Sequence, residues 1–460
     1  MAPPPKPHIM KTNPAPFLPH ALLSLGRVVC ALLFSLGGCG LLLAVSHQGR
    51  AAEPGKRPNV IVILADDLGC GDMSLYNGWI KTPRIDQMAR EGVRFTDFHS
   101  NSSVCSPTRA AFLTGRYQQR VGIIDVIASH LDTPGLEATE PTIPRLMKQN
   151  GYKTALFGKW HLGDEPRHNP IHHGFDEFVG FLPGGGDYHK HGKWMDGTEV
   201  KDQKGYSTDI ITDRSVDFIT RNKTSPFFLY VAHQAVHNPY QTPADTPESR
   251  PAVIPLGGER ARASYQIMLQ ELDRSVGRIL DALSEHGLEE NTFVFFFSDN
   301  GDVGQNMQSR LYRGGKFSNY EGGHRVPAVA RWPGRIKAGW TSDELIVGMD
   351  MLPTIMDIAG IGIPEQRKLD GISIKDHLLK QADVPDRRVF FGYEPKLGTA
   401  MRDGHWKMLT KVDVVELYDL SKDIKETTNI ADKYPQRAET MKAAIEKWKL
   451  EVAPGAASQP

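Results

Sequence analysis

The sequence predicts an α/β fold, with a mostly parallel, doubly wound sheet that carries helices on both faces. Three continuous apolar runs, at Asn59–Ala65, Phe227–Ala232 and residues 292–297, have the length and composition of strands that are buried on both faces. Over residues 263–286, apolar side chains recur every three or four positions, which indicates a helix that ends at Gly287. Because strands and helices alternate, we expect the strands to run parallel.

The pattern changes beyond Gly339. One more helix is predicted at residues 349–359, and a terminal helix at residues 435–452. Between these helices lie four short strand-like segments that suit a small antiparallel sheet, at residues 388–392, 399–402, 405–410 and 415–419. We therefore predict a large α/β domain at residues 58–339, a smaller C-terminal α+β subdomain with a short antiparallel sheet at residues 340–453, and a disordered tail at residues 454–460.

Composition places the chain among ordinary globular proteins. Its 460 residues are 40% hydrophobic and 23% charged, and the length is enough for a large core. Lys and Arg together number 54, as do Asp and Glu, so the formal net charge is zero. A nucleic-acid-binding protein normally carries a basic excess, and this chain has none, which argues against that class. Selectivity for an anion must therefore come from the local placement of charged side chains.

An N-terminal leader is predicted over residues 1–52. The nearly uncharged apolar run at residues 28–45 follows scattered basic residues and precedes small ones, which is the layout of a secretory signal cleaved after Ala52. The run is also long enough to span a bilayer as an uncleaved signal anchor, and residues 36–39 resemble a lipobox. We expect residues 53–57 to be a linker and the protein to be exported to the periplasm or the medium, with membrane attachment only if the leader is uncleaved.

Acidic and amide side chains follow two of the predicted strands. Asp66 and Asp67 come directly after the first strand, and Asp299 and Asn300 follow the strand at residues 292–297. In open parallel sheets, ligands bind outside the carboxyl ends of the strands. Adjacent carboxylates repel each other unless a cation neutralises them. Because these donors are all oxygens, the sequence favours Ca²⁺, with Mg²⁺ second, over Zn²⁺.

The most informative motif begins at Cys105. It reads Cys105-Ser-Pro-Thr-Arg109 and continues to Leu-Thr-Gly-Arg at residues 113–116. Pro107 suits a first helical turn, so we expect Cys105 near a helix N-terminus, where free N–H groups and the helix dipole favour an anion. Arg109 lies one turn further along and can hold an anion oxygen by charge-assisted hydrogen bonds.

Three further segments contribute cations and histidines. Lys159 and His161 alternate after the strand that begins at Lys153, so an extended segment directs both side chains to one face. His237, beyond the strand Phe227–Ala232, can act as a general acid because histidine titrates near neutral pH. Lys316 follows two glycines, which let the backbone approach a ligand closely.

Together these motifs resemble the signature of type I, formylglycine-dependent sulfatases of the arylsulfatase and N-acetylgalactosamine-sulfatase type. The resemblance spans about residues 58–450. It implies an alkaline-phosphatase-like fold, a catalytic role for residues 58–339 and hydrolysis of sulfate esters. The implied metal ligands are Asp66, Asp67, Asp299 and Asn300 with the residue made from Cys105, and the implied catalytic residues are Cys105, Arg109, Lys159, His161, His237 and Lys316.

The resemblance also implies a mechanism. In the family, a formylglycine-generating enzyme oxidises the cysteine to an aldehyde, and one hydroxyl of the aldehyde hydrate, activated near Asp299 and the metal, attacks sulfur. The alcohol leaves with a proton from His237. The second hydroxyl then loses its proton to His161 and expels sulfate. Conversion of Cys105 would leave Cys70 as the one thiol beyond the leader, which excludes a disulfide within the mature chain.

The implied substrate is a sulfated carbohydrate of the galactose or N-acetylgalactosamine type. Some sulfatases place a sulfate-binding serine after the segment that corresponds to residues 175–180, and this chain has none there. We expect Asp187, Tyr188 and His189 in the following loop to form a substrate wall, in addition to substrate contacts from the two lysines and His237.

Three other functions fit parts of the pattern. A phosphonate or phosphodiester hydrolase could use the same nucleophile. An enzyme of the plain alkaline phosphatase type would need Zn²⁺ ligands and a Ser or Thr nucleophile, which the sequence does not supply. A non-catalytic, glycan-binding relative would keep the fold without the chemistry.

Overall fold

The structure is a computed structural model that describes residues 57–128, 134–246, 258–303, 311–394, 398–412 and 414–453, without the side chains of residues 393 and 394. The predicted leader and tail lie outside these residues. The strands are β1 (Asn59–Ala65), β2 (Val93–Phe95), β3 (Phe98–His99), β4 (Lys153–Lys159), β5 (Glu177–Phe181), β6 (Met195–Asp196), β7 (Glu199–Val200), β8 (Phe227–Ala232), β9 (Thr292–Ser298), β10 (Ala328–Arg331), β11 (Trp340–Ser342), β12 (Ile346–Val347), β13 (Arg388–Glu394), β14 (Gly398–Asp403), β15 (Trp406–Lys411) and β16 (Val414–Asp419).

Helices alternate with these strands. They are α1 (Pro83–Arg90), α2 (Cys105–Thr114), α3 (Ile143–Gln149), α4 (Ser207–Arg221), α5 (Glu259–Glu285), α6 (Glu321–His324), α7 (Met351–Ala359), α8 (Lys375–Lys380) and α9 (Pro435–Val452). In the described residues, no helix combines the length and the apolar composition that a membrane crossing requires.

Ten strands form one large sheet in the order β11-β2-β10-β9-β1-β8-β4-β5-β6-β7. Its centre, from β9 to β5, is parallel, whereas β10 runs antiparallel to both of its neighbours. The short strands β6 and β7 extend the far edge antiparallel. The predicted fold class is confirmed.

Alternation along β1 shows how the sheet is covered on both faces. Val60, Val62 and Leu64 pack into an apolar cluster that includes residues of α2, α3 and α7. Ile61 and Ile63 point the other way, into a cluster with residues of α1, α4 and α5. Each such buried aliphatic side chain contributes about 1.5–3 kcal/mol. A continuous apolar run is therefore what this strand requires.

A four-stranded antiparallel sheet, β13-β14-β15-β16, forms near the C-terminus. Helix α9 packs against it through Met441, Ile445 and Trp448, and the Trp448 ring stacks on Phe390 at 4.8 Å. The predicted small sheet is confirmed. However, β11 pairs with β2 of the large sheet and α7 joins its core, so the large sheet draws on residues beyond the predicted boundary at residue 339.

Buried histidines predict how stability depends on pH. The His173 side chain is buried against Trp160, and burial, aided by the charge of Arg145, lowers the pKa of His173 to about 3. The unfolded chain takes up this proton below about pH 6.5, whereas the folded protein does not. The contribution of the neutral His173 to the free energy of unfolding is therefore fully present above pH 6.5, and it is lost as the pH falls towards 3.

We expect His173→Phe to reduce the loss of unfolding free energy between pH 8 and pH 5 by about 2 kcal/mol. Urea unfolding at the two pH values measures this difference. The neighbouring His172 is exposed, so His172→Phe serves as the matched control and is expected to leave the pH dependence unchanged. If the stability of His173→Phe depended on pH as steeply as that of the parent protein, the buried His173 would not be the source of this pH dependence.

Candidate active site

The polar segments identified in the sequence follow the carboxyl ends of neighbouring strands in the centre of the sheet. Ala65 at the end of β1 pairs with Ser298 at the end of β9, and Ala232 at the end of β8 lies opposite Leu64 and Gly158. Because these neighbouring parallel strands end at the same level, the segments that follow them meet outside their carboxyl ends.

Two carboxylates and two cations form the buried floor of the site. Asp66 Oδ2 accepts a hydrogen bond from Lys159 Nζ at 2.6 Å, and Arg109 Nη2 lies 3.8 Å from the same oxygen. Asp299 Oδ2 accepts from Nε and Nη2 of Arg109 at 2.9 and 2.7 Å. All four side chains are fully buried. The two ion pairs are linked, because Arg109 also donates to the Lys159 carbonyl at 3.1 Å.

A second group lies around Asp67. Its Oδ1 accepts from Lys316 Nζ at 2.6 Å and from Asn300 Nδ2 at 2.7 Å. His237 Nε2 lies 3.7 Å from the other carboxylate oxygen. The backbone of Asp67 adopts a left-handed conformation (φ 62°), which is uncommon outside glycine and clusters at functional sites.

Cys105 is the first residue of α2, as its motif predicted. Its thiol is buried, and Sγ lies within 4.8 Å of carboxylate oxygens of Asp66 and Asp299. Burial raises the pKa of the Cys105 thiol, although the charges of Lys159 and Lys316 act in the opposite direction. An unmodified thiol at this position is therefore protonated at neutral pH.

The carboxylates differ in their electrostatics. Burial alone would raise the pKa of Asp66, but the charges of Lys159, His237 and Arg109 outweigh it and bring the pKa well below its usual value. Burial and the nearby Asp66 carboxylate raise the pKa of Asp299 to about 6. The site therefore holds more negative charge than Asp299 accommodates easily, and an additional cation would stabilise its ionised form.

The donor atoms fit a hard divalent cation. Asp66, Asp67, Asp299 and Asn300 offer only oxygens, which are the donors that Ca²⁺ and Mg²⁺ take. Asp66 Oδ1 and Asn300 Oδ1 are buried and accept no hydrogen bond from any residue that the structure describes. A buried polar atom without a partner costs about 1–3 kcal/mol, and a cation bound between these residues would remove that cost.

His161 and His237 are held by backbone carbonyls. His161 Nε2 lies 2.9 Å from the Ile127 carbonyl, and burial, followed by the charge of Lys159, brings the pKa of His161 well below its usual value. His237 Nδ1 lies 2.6 Å from the Asn238 carbonyl, so its Nε2 is the nitrogen that faces Asp67. The two carbonyls therefore fix the orientation of both rings.

Two other polar residues near the site, His233 and Tyr188, have structural positions. His233 is buried, and its Nε2 lies 2.9 Å from the Ser275 hydroxyl of α5. Tyr188 is also fully buried, and its hydroxyl donates to the His237 carbonyl at 2.8 Å. Tyr188 thus supports His237 from behind, which corrects the expectation that its side chain lines an open substrate wall.

Asp187 and His189 make contacts within their own loop region. An Asp187 carboxylate oxygen accepts from the backbone N–H groups of His189 and Lys190 at 2.8 and 2.9 Å. His189 Nε2 lies 3.0 Å from the Thr242 carbonyl. These contacts fix the conformation of the loop.

Two glycines whose role was not predicted from the sequence, Gly184 and Gly185, pack against the two histidines. A Cβ on Gly184 would lie 2.3 Å from His161 Nε2, and one on Gly185 would lie 3.3 Å from the His237 ring. The signal was the glycine run itself, at the position where a serine was sought. Its meaning depends on which side chains pack against it, and that is a property of the tertiary structure.

We expect Gly184→Ala to lower kcat by about 10- to 100-fold, because the added methyl group would displace the His161 ring. Gly186→Ala is the matched control, since its Cβ would meet only Gln234 Oε1, at 3.8 Å, among the described atoms. Steady-state kinetics and melting temperatures of both variants test this. Equal effects of the two substitutions on kcat would rule out the contact as the cause.

A buried ion cluster joins the small sheet to the segment that follows Lys316. The buried ion cluster consists of the carboxylates Asp97, Glu321 and Glu426, the cations Arg325, Arg402 and Lys407, and the rings of His99 and His324. Glu321 accepts from Lys407 Nζ at 3.0 Å and from Arg402 Nη1 at 3.1 Å. Although Glu321 and the two histidines lie close enough to share a metal, the Lys407 ammonium is 3.1 Å from His324 and supplies the positive charge instead.

Comparison with known proteins identifies the family of the chain. The sulfatase family model matches residues 58–361, which is more than half of the chain. The chain belongs to the sulfatase family. A second model, the C-terminal region of N-sulphoglucosamine sulphohydrolase, matches residues 315–451. This sulfatase is therefore an enzyme that hydrolyses sulfate esters, as the resemblance of its motifs implied.

Individual proteins that are similar to this chain are also named as sulfatases. The sulfatase is 36% identical to the N-acetylgalactosamine-6-sulfatase of Canis lupus familiaris, over 76% of this chain and 71% of the relative. It is 33% identical to arylsulfatase G of Rattus norvegicus, over 82% and 77% of the two chains. Among solved structures, Ps i-CgsB in complex with k-i-k-neocarrahexaose superposes with a TM-score of 0.80 at 29% identity, over 88% of this chain and 94% of the other.

Proposed function

We propose that this sulfatase is exported and removes sulfate from a carbohydrate of the galactose or N-acetylgalactosamine type. In this proposal, an aldehyde hydrate made from Cys105 is the nucleophile and a divalent cation, Ca²⁺ or Mg²⁺, is the cofactor. One observation carries the proposal: Cys105, at the start of α2, lies within 4.8 Å of the buried carboxylates Asp66 and Asp299, which are paired with Lys159 and Arg109.

The charge balance of the site favours an anionic substrate. Three carboxylates, from Asp66, Asp67 and Asp299, already face three cationic side chains, Lys159, Lys316 and Arg109. A divalent cation held by the oxygen donors would leave an excess of positive charge, which a sulfate ester would offset. Bound there, the cation would polarise a sulfuryl oxygen and so stabilise the charge that develops in the reaction.

The chain's own residues would position the sulfate group and move protons. Lys159, Lys316 and Arg109, anchored on buried carboxylates, would hold the sulfuryl oxygens by charge-assisted hydrogen bonds. His237 is partly exposed and donates from Nδ1 to the Asn238 carbonyl, so its Nε2 would carry a proton for the leaving alcohol when the ring is an imidazolium, the form that the neighbouring Asp67 carboxylate favours. His161, with Nε2 engaged by a carbonyl, would accept a proton at Nδ1 as sulfate is released.

Two considerations support the substrate and the location. The named relatives include an N-acetylgalactosamine-6-sulfatase, and the solved structure with the TM-score of 0.80 is in complex with a neocarrahexaose. The apolar run at residues 28–45 has the composition of a secretory leader. Maturation by a formylglycine-generating enzyme would accompany export in this proposal.

Sulfate release from a panel of galactose and N-acetylgalactosamine sulfates tests the activity, with matched phosphate esters and phosphonate monoesters alongside. We expect sulfate esters to be turned over at least about tenfold faster than their phosphorus counterparts. Preference for a phosphonate or a phosphodiester would replace the proposal with hydrolysis of that class. Binding of sulfated sugars without any turnover would identify a non-catalytic, glycan-binding relative.

Two measurements test the nucleophile and the cofactor. Mass spectrometry of the tryptic peptide of residues 95–109, from protein made in its own host, is expected to show the aldehyde in place of the Cys105 thiol. Activity is expected to be lost on chelation and to return with Ca²⁺ or Mg²⁺. Full activity of protein with an unmodified Cys105 thiol would overturn the proposed nucleophile. Full activity after complete chelation would overturn the proposed metal cofactor.

A further inference from the structure

Phe317, the residue after Lys316, is unusual in both its backbone conformation and its exposure. Its backbone lies in the left-handed region (φ 68°), where a bulky side chain is a genuine outlier. The residue is 53% exposed, more than any other Phe, Tyr or Trp in the described part of the chain. The position therefore combines an unfavourable backbone conformation with an aromatic ring that gains little from burial.

The structure holds Phe317 firmly at the site. Its backbone N–H donates to the Ser103 carbonyl at 3.0 Å, and Ser103 is two residues before Cys105. The preceding N–H, of Lys316, donates to the Asp302 carbonyl at 2.7 Å. These bonds fix the Phe317 backbone beside the nucleophile loop.

The ring stands next to the group that would hold the sulfate. Lys316 Nζ lies 5.6 Å from the centroid of the Phe317 ring, and the same nitrogen pairs with Asp67 at 2.6 Å. A substrate whose sulfate contacts Lys316 thus brings the atoms beyond the ester oxygen within reach of this ring. The large exposed fraction of the ring leaves it accessible to such a ligand.

Strained residues of this kind persist where function requires them. Glycine would adopt the same backbone conformation without strain, so the phenyl ring needs a separate reason to be present. Pyranose sugars present faces of C–H groups, and those faces pack on aromatic rings, whereas inorganic sulfate has no such face.

We propose that Phe317 forms an aromatic subsite that binds the sugar ring carrying the sulfate ester. This inference rests on the proposed carbohydrate substrate and names a contact that the sulfate-binding residues do not provide. The subsite contributes to affinity for the sugar and leaves recognition of the sulfate group to the lysines and Arg109.

Kinetics of Phe317 variants test the subsite, with whichever galactose or N-acetylgalactosamine sulfate the parent enzyme turns over fastest. We expect Phe317→Ala to raise KM about five- to tenfold, the range that one aromatic contact gives, with kcat changed less than about twofold. Phe317→Trp is expected to keep KM within about twofold of the parent value. Leu450→Ala, at an exposed apolar residue of α9, is the control and should change neither constant.

Two further readings separate a binding role from a structural one. The inhibition constant of inorganic sulfate should be the same in Phe317→Ala as in the parent, because sulfate cannot use the ring. Phe317→Gly should melt no lower than the parent, since glycine relieves the backbone strain, and yet show the raised KM.

The possible failures are distinguishable. Turnover of sugar sulfates by the parent, with KM unchanged in Phe317→Ala and Phe317→Gly, would overturn the subsite and leave the proposed function standing. Weakened inhibition by inorganic sulfate in Phe317→Ala would also overturn it, because the ring would then act through Lys316. If the parent turns over none of the sugar sulfates, the proposed substrate fails and the subsite with it.

Discussion

Replacing Cys105 by alanine is expected to lower kcat/KM for a sulfate ester by about 10⁴-fold or more. The substitution removes the group from which the proposed nucleophile is made, and losing a nucleophile eliminates the covalent route altogether. The side chain is buried at the start of α2 and small, so the variant should fold. Sulfate release measured on the parent's best substrate tests the expectation.

Cys70 provides the matched control. It is also a buried cysteine, with Sγ 3.8 Å from the Arg325 carbonyl and no contact with the ion pairs of the site among those described. Cys70→Ala is expected to keep kcat/KM within about twofold and to cost about 1 kcal/mol of stability through the small cavity. Substantial turnover by Cys105→Ala would show that another group attacks sulfur.

Arg109→Ala is expected to affect both activity and stability. Loss of the guanidinium removes two hydrogen bonds to Asp299 and leaves that buried carboxylate without its main partner. We expect kcat/KM to fall by about 10³-fold and the free energy of unfolding by about 3 kcal/mol. Saturating Ca²⁺ should reduce the stability loss, because a cation in the proposed site would also balance the negative charge of the Asp299 carboxylate. Kinetics and unfolding curves with and without Ca²⁺ measure these effects.

Arg120→Ala serves as the comparison. Arg120 Nε donates to both oxygens of Asp370, at 3.1 and 2.8 Å, and the pair is largely buried beyond the far end of α2. This variant should lose stability to an extent that Ca²⁺ does not change, and its kcat should stay within about threefold of the parent value. The same stability loss for Arg109→Ala with and without Ca²⁺ would contradict a cation beside Asp299.

The sequence was most informative where its signal is local. The apolar run at β1 and the helix α9 have the predicted ends, because burial on both faces and helical periodicity can be read directly from the residues. The charged residues of the site could be proposed because parallel strands bring their carboxyl ends together. The structure indeed brings Asp66, Asp299 and Arg109 into contact.

What could not be predicted depends on packing between distant segments. Whether Tyr188 faces a substrate or the core is decided by where the His237 carbonyl lies, 49 residues further along the chain. The need for glycine at position 184 arises from the His161 ring, which belongs to a different strand end. The left-handed conformation of Phe317 likewise has no signature in the residues around it.

The buried ion cluster has a consequence for how this enzyme can be divided. Glu321 follows Lys316 by five residues, and it is held by Arg402 and Lys407, which come from β14 and β15 of the small sheet. A truncated chain without those strands would lack two of the three cationic partners that Glu321 has in the described residues, next to the segment that carries Lys316. Chimeras between relatives should therefore exchange the Lys316 segment and the small sheet together, as one cassette.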